Sequence, residues 1–165
     1  TEVPDFPIKG VSFKDISPLL ADQETFESVI VEMGKLVGLG IHYDGKPPDY
    51  WIGIDARGFI FASALAIHLG GGVIMCRKKG KLPPPTKSCF YQLEYGTATL
   101  EMKEGSGKVV IVDDVLATGG TLRSTNLLAE KSGYDVIGNL VLMDLQYVPL
   151  VDNFDIEVRS LVTYE

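Results

Sequence analysis

The chain has 165 residues, of which 45% are apolar and 22% are charged, a composition typical of folded globular proteins. This composition argues against a disordered, collagen-like or coiled-coil chain, and the length predicts a single domain over residues 1–165. Because 15 basic residues stand against 22 acidic ones, the net charge is -7, which disfavours general binding to nucleic-acid backbones. We therefore expect no nucleic-acid partner, and an anionic ligand would need a local basic patch.

Neither a membrane segment nor a cysteine-based site is predicted. The sequence has no apolar run of the roughly 18 residues that a membrane helix needs. The first residues, TEVPDFPIKG, lack the basic and apolar regions of a secretory signal, so we expect a cytoplasmic protein without a membrane partner. Cys76 and Cys89 have no CxxC spacing and no histidine nearby, which predicts buried or bystander thiols rather than a zinc site or a disulfide.

An irregular arm and a helix are the first predicted elements. Residues 4–20, PDFPIKGVSFKDISPLL, contain three prolines and a glycine, which predicts an arm without long helix or strand that lies outside the core. From Glu24 to Leu39, apolar residues recur at spacings of three and four, which predicts an amphipathic helix. DYWIGID then predicts a short strand that ends at Asp55, and the apolar GFIFASALAIHLG predicts a helix buried on nearly all sides.

The rest of the chain predicts strands that alternate with helices. GVIMCR predicts a strand, the polar and proline-rich KKGKLPPPTKS predicts a mobile loop, and CFYQLEYG with TATLEM predicts a hairpin around Gly96. KVVIVDD predicts a strand buried on both faces, TLRSTNLLAEKSG an amphipathic helix that Gly133 ends, and VIGNLVLMDL another buried strand. The alternation predicts the α/β class, with a doubly wound, mainly parallel sheet flanked by helices.

The candidate site is the run VVIVDDVLATGGT at residues 109–121. In doubly wound sheets, ligands bind beyond the carboxyl ends of the strands, where this run would lie. ATGGT offers backbone N–H groups, two hydroxyl groups and the positive end of the following helix, which together suit a phosphate monoester. Asp113 and Asp114 would repel that phosphate unless they face sugar hydroxyls or a magnesium ion. The run as a whole therefore indicates a phosphorylated pentose.

The aspartate pair is not specific to a phosphorylated pentose when it is taken without the rest of the run. Alone, the two aspartates also fit an ordinary strand end that precedes a helix start. The patterns GxxxxGK[ST] and GxGxxG are both absent from the sequence, which disfavours an NTPase or a dinucleotide enzyme.

The run closely resembles the phosphoribosyl pyrophosphate (PRPP) signature of the type I phosphoribosyltransferase family. DFPIKGVSFKDISPLL, IDARGF, RKKGKLPPPTKSCFYQLEYGTATLEM and VRSLVTYE resemble, in the same order, segments of the members that use adenine. The resemblance implies the type I phosphoribosyltransferase fold, with a base-binding arm or hood at residues 1–20 and a flexible catalytic loop and hairpin at residues 78–103. It also implies transfer of the phosphoribosyl group from PRPP to adenine, giving AMP and pyrophosphate, with Mg²⁺ as cofactor and a homodimer as assembly.

The resemblance also assigns the residues that would bind PRPP. The 5′-phosphate site would consist of Ala117, Thr118, Gly119, Gly120 and Thr121. Ribose would bind at Asp113 and Asp114, near a magnesium ion held mainly by the substrate's own pyrophosphate and ribose. The pyrophosphate site would consist of Ala56, Arg57, Arg77 and Lys81. IDARGF suits this role because a tight turn and a guanidinium group can hold a leaving group as its charge grows, and in the family this loop often has an unusual peptide geometry.

Four positive charges in RKKGK form a local basic patch, and the resemblance brings Arg77 and Lys81 of this patch toward the pyrophosphate, in some relatives from a neighbouring subunit. The resemblance further makes Arg57, Glu94 and Tyr95 catalytic. Tyr95 would cover the site when the loop closes and excludes water, and Glu94 would stabilise the cationic sugar or handle the purine proton.

The arm would bind adenine through Ser12, Phe13 and Lys14. The Phe13 ring offers a stacking face, and backbone groups around Ser12 and Lys14 can read the purine edge. The family commonly has valine and arginine where Ser12 and Lys14 stand, a departure that matters if the arginine side chain contributes.

Two alternatives stay open at this point. PRPP recognition is common to the family, so another purine base is a possible acceptor. Some proteins of this fold sense PRPP and regulate transcription or RNA without catalysis, but they normally carry a basic nucleic-acid surface or an attached helix-turn-helix.

Overall fold

The computed structural model describes residues 1–6, 8–38, 46–93 and 96–165. The arm contains two short antiparallel strands, β1 (Glu2–Val3) and β2 (Phe13–Lys14), and is followed by the helices α1 (Ser17–Ala21) and α2 (Gln23–Gly38). Helix α2 matches the predicted amphipathic helix, and the last residue predicted for it, Leu39, lies outside the described residues.

The remaining described elements alternate as predicted. They are β3 (Tyr50–Ile54), α3 (Gly58–Leu69), β4 (Gly72–Lys78), β5 (Lys87–Leu93), β6 (Gly96–Met102), β7 (Gly107–Leu116), α4 (Gly120–Lys131), β8 (Tyr134–Leu145) and β9 (Arg159–Tyr164). The hairpin of β5 and β6 is confirmed, whereas its tip at residues 94 and 95 lies outside the described residues. Strand β9 was not predicted, because its edge position leaves it half exposed and without a clear apolar pattern.

Within the described residues, seven strands form the main sheet in the order β5-β6-β4-β3-β7-β8-β9. In that order, the strands from β4 to β9 are parallel to one another, and the β5–β6 hairpin adds an antiparallel edge. This arrangement confirms the α/β class with a mainly parallel sheet flanked by helices. It also places the carboxyl ends of β3 and β7 side by side, where such sheets bind ligands.

Two apolar layers hold the sheet between its helices. On one face, α2 and α3 bury Met33 and Phe61, and on the other α4 buries Leu128. Strand β7 lies between both layers, and its residues Val109 to Val112 are fully buried, as predicted. The base of the candidate site is therefore fixed by the core.

Two burial predictions are wrong. Ile16, in the segment expected to lie outside the core, is 6% exposed and packs into the layer under α2, because the arm ends by turning into α1. Helix α3 is not buried on nearly all sides, since Ile67 is 89% exposed. Only one side of α3 contacts the sheet, so its apolar composition exceeds what the core can cover.

Both cysteines are free thiols, in agreement with the sequence analysis. Cys76 is buried beside Thr125, and burial raises the pKa of its thiol to about 12, so the group stays neutral. Among the helices in the described residues, none has the length and hydropathy to cross a membrane.

Candidate active site

A cavity of about 450 Å³ opens at the carboxyl ends of β3 and β7. Its lining combines residues 54–57, 113–119 and 121–122 with Lys78 and Leu100. The two segments that the sequence analysis placed at strand ends, IDARGF and VVIVDDVLATGGT, therefore meet in one cavity. A ligand in this cavity can contact both segments at once.

The two adjacent aspartates lie within β7 rather than after it, because pairing with β8 continues to Leu116. Asp114 is 2% exposed, and its Oδ2 lies 3.0 Å from Nε of Arg57. This ion pair is not aligned as a hydrogen bond, so within the described part of the chain Oδ2 is a buried acceptor without a donor. Asp113 Oδ1, by contrast, accepts a hydrogen bond of 2.9 Å from the amide of Asp114. Oδ2 thus faces the Arg57 guanidinium and, among the described residues, accepts no hydrogen bond.

Burial and mutual repulsion make this pair of carboxylates costly to ionise. Burial raises the pKa of Asp113 well above its usual range, and the charge of Asp114 raises it further. Burial also raises the pKa of Asp114, although the Arg57 guanidinium opposes this shift. A buried acid beside a second, half-buried one is typical of functional sites, where a ligand supplies the missing donor or cation.

The turn after β7 presents backbone N–H groups to the cavity. Gly119 caps α4 with a φ of +79°, and the helix start at Gly120 has no side-chain cap, which leaves the first amides available for an anion. A Cβ at residue 119 would lie 2.6 Å from Cε2 of Phe154, so glycine is required for space as well as for backbone geometry. Thr118 O accepts a hydrogen bond of 2.8 Å from the amide of Val151.

The sequence analysis missed this support from residues 151–154, because no local pattern links Phe154 to a turn more than thirty residues earlier. Of the predicted phosphate site, Ala117, Thr118, Gly119 and Thr121 line the cavity. Gly120 lines a neighbouring depression instead.

The loop after β3 is tied closely to β7. The peptide bond between Asp55 and Ala56 is cis. Helix α3 begins at Gly58, where a Cβ would lie 2.6 Å from Val112 O and 3.2 Å from Asp113 Oδ1. The absence of a side chain at residue 58 lets α3 begin against β7, and this close approach brings Arg57 beside Asp114.

The basic patch divides between the two faces of β4. Lys78 lines the cavity, although the sequence analysis did not select it. Arg77 points to the opposite face, because neighbouring residues of a strand alternate. Its Nε lies 3.0 Å from Asp55 Oδ2, and its Nη1 donates to the carbonyl oxygen of Lys81 at 3.3 Å. Arg77 thus lies beside the loop after β3, and neither Arg77 nor Lys81 is part of the cavity lining.

The arm reaches the site through Phe13, whose ring centroid lies 5.2 Å from Cζ of Arg57. The Ser12 hydroxyl donates to the Glu2 carboxylate, and Lys14 Nζ lies 3.2 Å from Glu2 Oε1. Lys14 Nζ also lies 4.6 Å from the centroid of Tyr164. The side chains of Ser12 and Lys14 are thus engaged with Glu2 and Tyr164. Glu94 and Tyr95, predicted to be catalytic, lie outside the described residues.

A cavity bounded by an uncapped helix start and an aspartate pair is the arrangement expected of a site for a sugar phosphate. The family model described as phosphoribosyl transferase domain matches residues 36–161, and the chain belongs to that family.

Relatives with a known name are similar over almost the whole chain. Adenine phosphoribosyltransferase of Bdellovibrio bacteriovorus is 45% identical over 163 residues, which cover 99% of this chain and 95% of the relative. The crystal structure of adenine phosphoribosyltransferase from Thermoanaerobacter pseudethanolicus matches with a TM-score of 0.87 at 39% identity, covering 99% of this chain and 95% of that one. The Saccharomyces cerevisiae enzyme, complexed with an imino-altritol bisphosphate and adenine, matches with a TM-score of 0.89 at 28% identity, covering 98% and 93%.

Proposed function

We propose that the chain transfers the 5-phosphoribosyl group from PRPP to adenine, giving AMP and pyrophosphate in purine salvage. The observation that carries this proposal is the meeting, in one cavity, of the Asp113–Asp114 pair and the uncapped amino end of α4. The choice of adenine rests on the similarity to named adenine phosphoribosyltransferases over 99% of the chain.

In this proposal, the strand-to-helix corner at residues 113–121 binds both the phosphate and the sugar hydroxyls of the ribose phosphate. The amides and hydroxyls of residues 117–121 bind the 5′-phosphate at the positive end of α4. Asp113 and Asp114 accept hydrogen bonds from the 2′- and 3′-hydroxyls, and Oδ2 of Asp114, which pairs with Arg57 but accepts no hydrogen bond within the described residues, is one such acceptor. These contacts leave the anomeric carbon exposed to the attacking base.

The pyrophosphate group binds across the loop after β3 and the basic patch. Ala56 and Arg57 line the cavity on this side, together with Lys78. Arg77 lies next to that loop, beside Asp55, and its guanidinium donates to the carbonyl oxygen of Lys81, so both basic residues belong to this side of the site in the proposal. These donors stabilise the leaving group as its charge grows during departure.

The residues fit a magnesium ion that is bound mainly by the substrate. Among the described residues, no group of three or more His, Cys, Asp or Glu side chains is placed to hold a metal alone. Asp113 and Asp114 supply carboxylate oxygens, the ligands that Mg²⁺ prefers, at the ribose end of the cavity. When bound, the ion neutralises charge on the pyrophosphate.

The adenine ring stacks on Phe13, and backbone groups of Ser12 and Lys14 read its edge. Phe13 is suited to this role because its ring contacts Arg57, which lines the cavity. Glu94 and Tyr95 close the site and act on the base and the cationic sugar in this proposal, with the loop at residues 78–103 moving as a lid.

The proposed assembly is a homodimer. On β4, the apolar side chains of Val73 and Met75 are 40% and 43% exposed, and they share a face with Arg77 by strand alternation. A second copy packed on this face would bury both side chains and lie next to the pyrophosphate site. Light scattering of the wild type and of Met75→Asp tests this assembly, since a dimer that uses this face dissociates on introduction of a charge.

The direct test of the function is a product assay with a panel of bases. The protein is incubated with Mg²⁺, PRPP and either adenine, hypoxanthine, guanine or uracil, and nucleotides are separated by chromatography. We expect AMP from adenine and no more than trace product from the others. IMP or GMP as the main product would contradict the choice of adenine, and absence of any nucleotide would contradict catalysis. The cytoplasmic location stays a prediction, which cell fractionation tests.

A further inference from the structure

Glu101 is a buried carboxylate outside the cavity that the proposed mechanism does not use. It lies on β6, is 4% exposed, and its Oε1 accepts hydrogen bonds from the amides of Lys81 at 2.8 Å and Leu82 at 2.6 Å. Burial alone would raise the pKa of Glu101, but the amides of residues 80–82 and the charge of Lys79 outweigh it and lower the pKa. Glu101 is therefore an ionised carboxylate that the backbone amides of this turn stabilise.

The turn at residues 79–82 that Glu101 holds is connected to the pyrophosphate loop. Arg77 pairs with Glu101 in the β4–β6 register, so both side chains lie on the same face of the sheet. Arg77 donates to the carbonyl oxygen of Lys81 and also contacts the carboxylate of Asp55. Glu101 therefore connects to Asp55 through three hydrogen bonds: the Lys81 amide donates to Glu101, and Arg77 donates to the Lys81 carbonyl oxygen and to the carboxylate of Asp55. Asp55 directly precedes Ala56 and Arg57.

We propose that Glu101 is a positioning residue for the pyrophosphate end of PRPP, because it fixes the turn at residues 79–82, which follows Lys78 of the cavity and which Arg77 links to the loop after β3. This inference rests on the proposed function for its catalytic consequence. Its structural part, the fixing of the turn by two amide hydrogen bonds, stands without that function.

An electrostatic role for Glu101 would have the opposite consequence. Four basic residues stand at positions 77–81, and a neighbouring carboxylate reduces the positive potential that they offer to an anion. If Glu101 acted only through its charge, its removal would strengthen PRPP binding. If it positions the turn, removal weakens PRPP binding, so the sign of the change separates the two roles.

Four variants test the proposal by steady-state kinetics. Glu101→Ala removes the acceptor, Glu101→Asp keeps the charge but shortens the side chain, and Glu101→Gln removes the charge but keeps an Oε1 that accepts both amides. Glu104→Ala is the matched control, since Glu104 is an exposed carboxylate whose ion pair is with Lys87 rather than with the turn.

We expect Glu101→Ala to raise the KM for PRPP about tenfold, the loss that roughly one charge-assisted hydrogen bond produces. Glu101→Asp should raise it in the same direction, whereas Glu101→Gln and Glu104→Ala should stay within about twofold of the wild type. The KM for adenine should change less than about twofold in all four. A lower or unchanged KM for PRPP in Glu101→Ala, or an equal rise in both KM values, would overturn the proposal.

Amide hydrogen exchange of residues 80–82 gives a readout that does not depend on activity. Exchange at Lys81 and Leu82 should accelerate at least about tenfold in Glu101→Ala and Glu101→Asp, and remain as in the wild type in Glu101→Gln. A wild type that forms no AMP contradicts the proposed function alone. An active wild type whose turn exchanges at the same rate in Glu101→Asp contradicts the positioning role alone, and this holds even if Glu101→Ala fails to fold.

Discussion

The corner at residues 113–121 and the arm at residues 11–14 flank the same site, but they are held by different means. The corner grows from the fully buried part of β7, and Phe154 packs beneath Gly119. Within the arm, β1 pairs with β2 and Lys14 with Glu2, and the segment contacts the rest of the chain through Phe13 with Arg57 and Lys14 with Tyr164.

This difference in support has a consequence for binding. Partly exposed cation–π contacts contribute about 0.5–1 kcal/mol each, so the arm can shift as a unit at little cost, whereas the corner moves only if the core does. We infer that the phosphoribosyl end of the site is preorganised and that the base end adjusts when adenine enters. Changes at the corner should therefore have larger effects than changes in the arm.

The largest effect is expected from the double variant Asp113→Asn with Asp114→Asn. It removes the carboxylates that accept the ribose hydroxyls, so turnover should fall by about 10³-fold or more, while circular dichroism shows an intact fold. Formation of AMP from labelled adenine measures the loss. The control is Asp135→Asn, an exposed aspartate at the start of β8, which should retain wild-type activity. Turnover of the double variant near the wild-type rate would contradict the role of the corner.

Gly119→Ala should have the next largest effect. The added Cβ meets the Phe154 ring and the backbone must keep a φ of +79°, so the turn shifts and the KM for PRPP should rise about 100-fold. Gly38→Ala is the matched control, because a Cβ at that helical position meets nothing within 4 Å. A KM for PRPP that is the same in both variants would show that the turn does not bind the phosphate.

A smaller effect is expected in the arm. Phe13→Ala removes the stacking face and should raise the KM for adenine about tenfold, with little change in the KM for PRPP. Lys14→Ala should change the KM for adenine by less than about twofold, because this side chain contacts Glu2 and Tyr164. A large loss of adenine affinity in Lys14→Ala would show that the side chain at this position reads the base.

The smallest effect concerns stability and its dependence on pH. Because the pKa of Asp113 is raised in the folded state, the folded protein binds more protons than the unfolded chain between the ordinary carboxyl pKa, about 3.9, and the raised one. The stability that this protonation provides is lost as pH rises through that window. Asp113→Asn should therefore raise the Tm at pH 8 by about 2–4 °C, the shift that about 1 kcal/mol produces in a domain of this size.

This gain in Tm should shrink below about pH 4, where Asp113 is protonated in both states. Thermal unfolding of wild type and variant from pH 3.5 to pH 8 measures the difference. A variant that is less stable than the wild type at pH 8 would show that the carboxylate pair carries no electrostatic cost.

The corner could be predicted from the sequence because its chemistry is local. An apolar run, two acids and a small turn define a strand, its acceptors and a helix start within thirteen residues. The cavity brings residues 54–57 together with residues 113–119 and Thr121. The alternation of strands and helices likewise predicted the sheet, since each element has its own periodicity.

The features that were missed depend on contacts between distant parts of the chain. Phe154 packs beneath Gly119, and the amides of the 79–82 turn bind Glu101. Both contacts form only when distant elements pack together. Burial was misjudged at Ile16 and Ile67 for the same reason, because an apolar side chain is buried only where a neighbouring element covers it. Lys78 was passed over because strand alternation decides which of two adjacent basic residues faces the cavity.

A crystal structure of the protein with AMP tests the central claim most directly. We expect the 5′-phosphate within hydrogen-bond distance, about 2.7–3.2 Å, of amides in residues 117–121, and both ribose hydroxyls at similar distances from the carboxylates of Asp113 and Asp114. A nucleotide bound with its sugar away from these carboxylates, or with its phosphate away from the turn, would contradict the claim that the corner at residues 113–121 binds both the phosphate and the sugar.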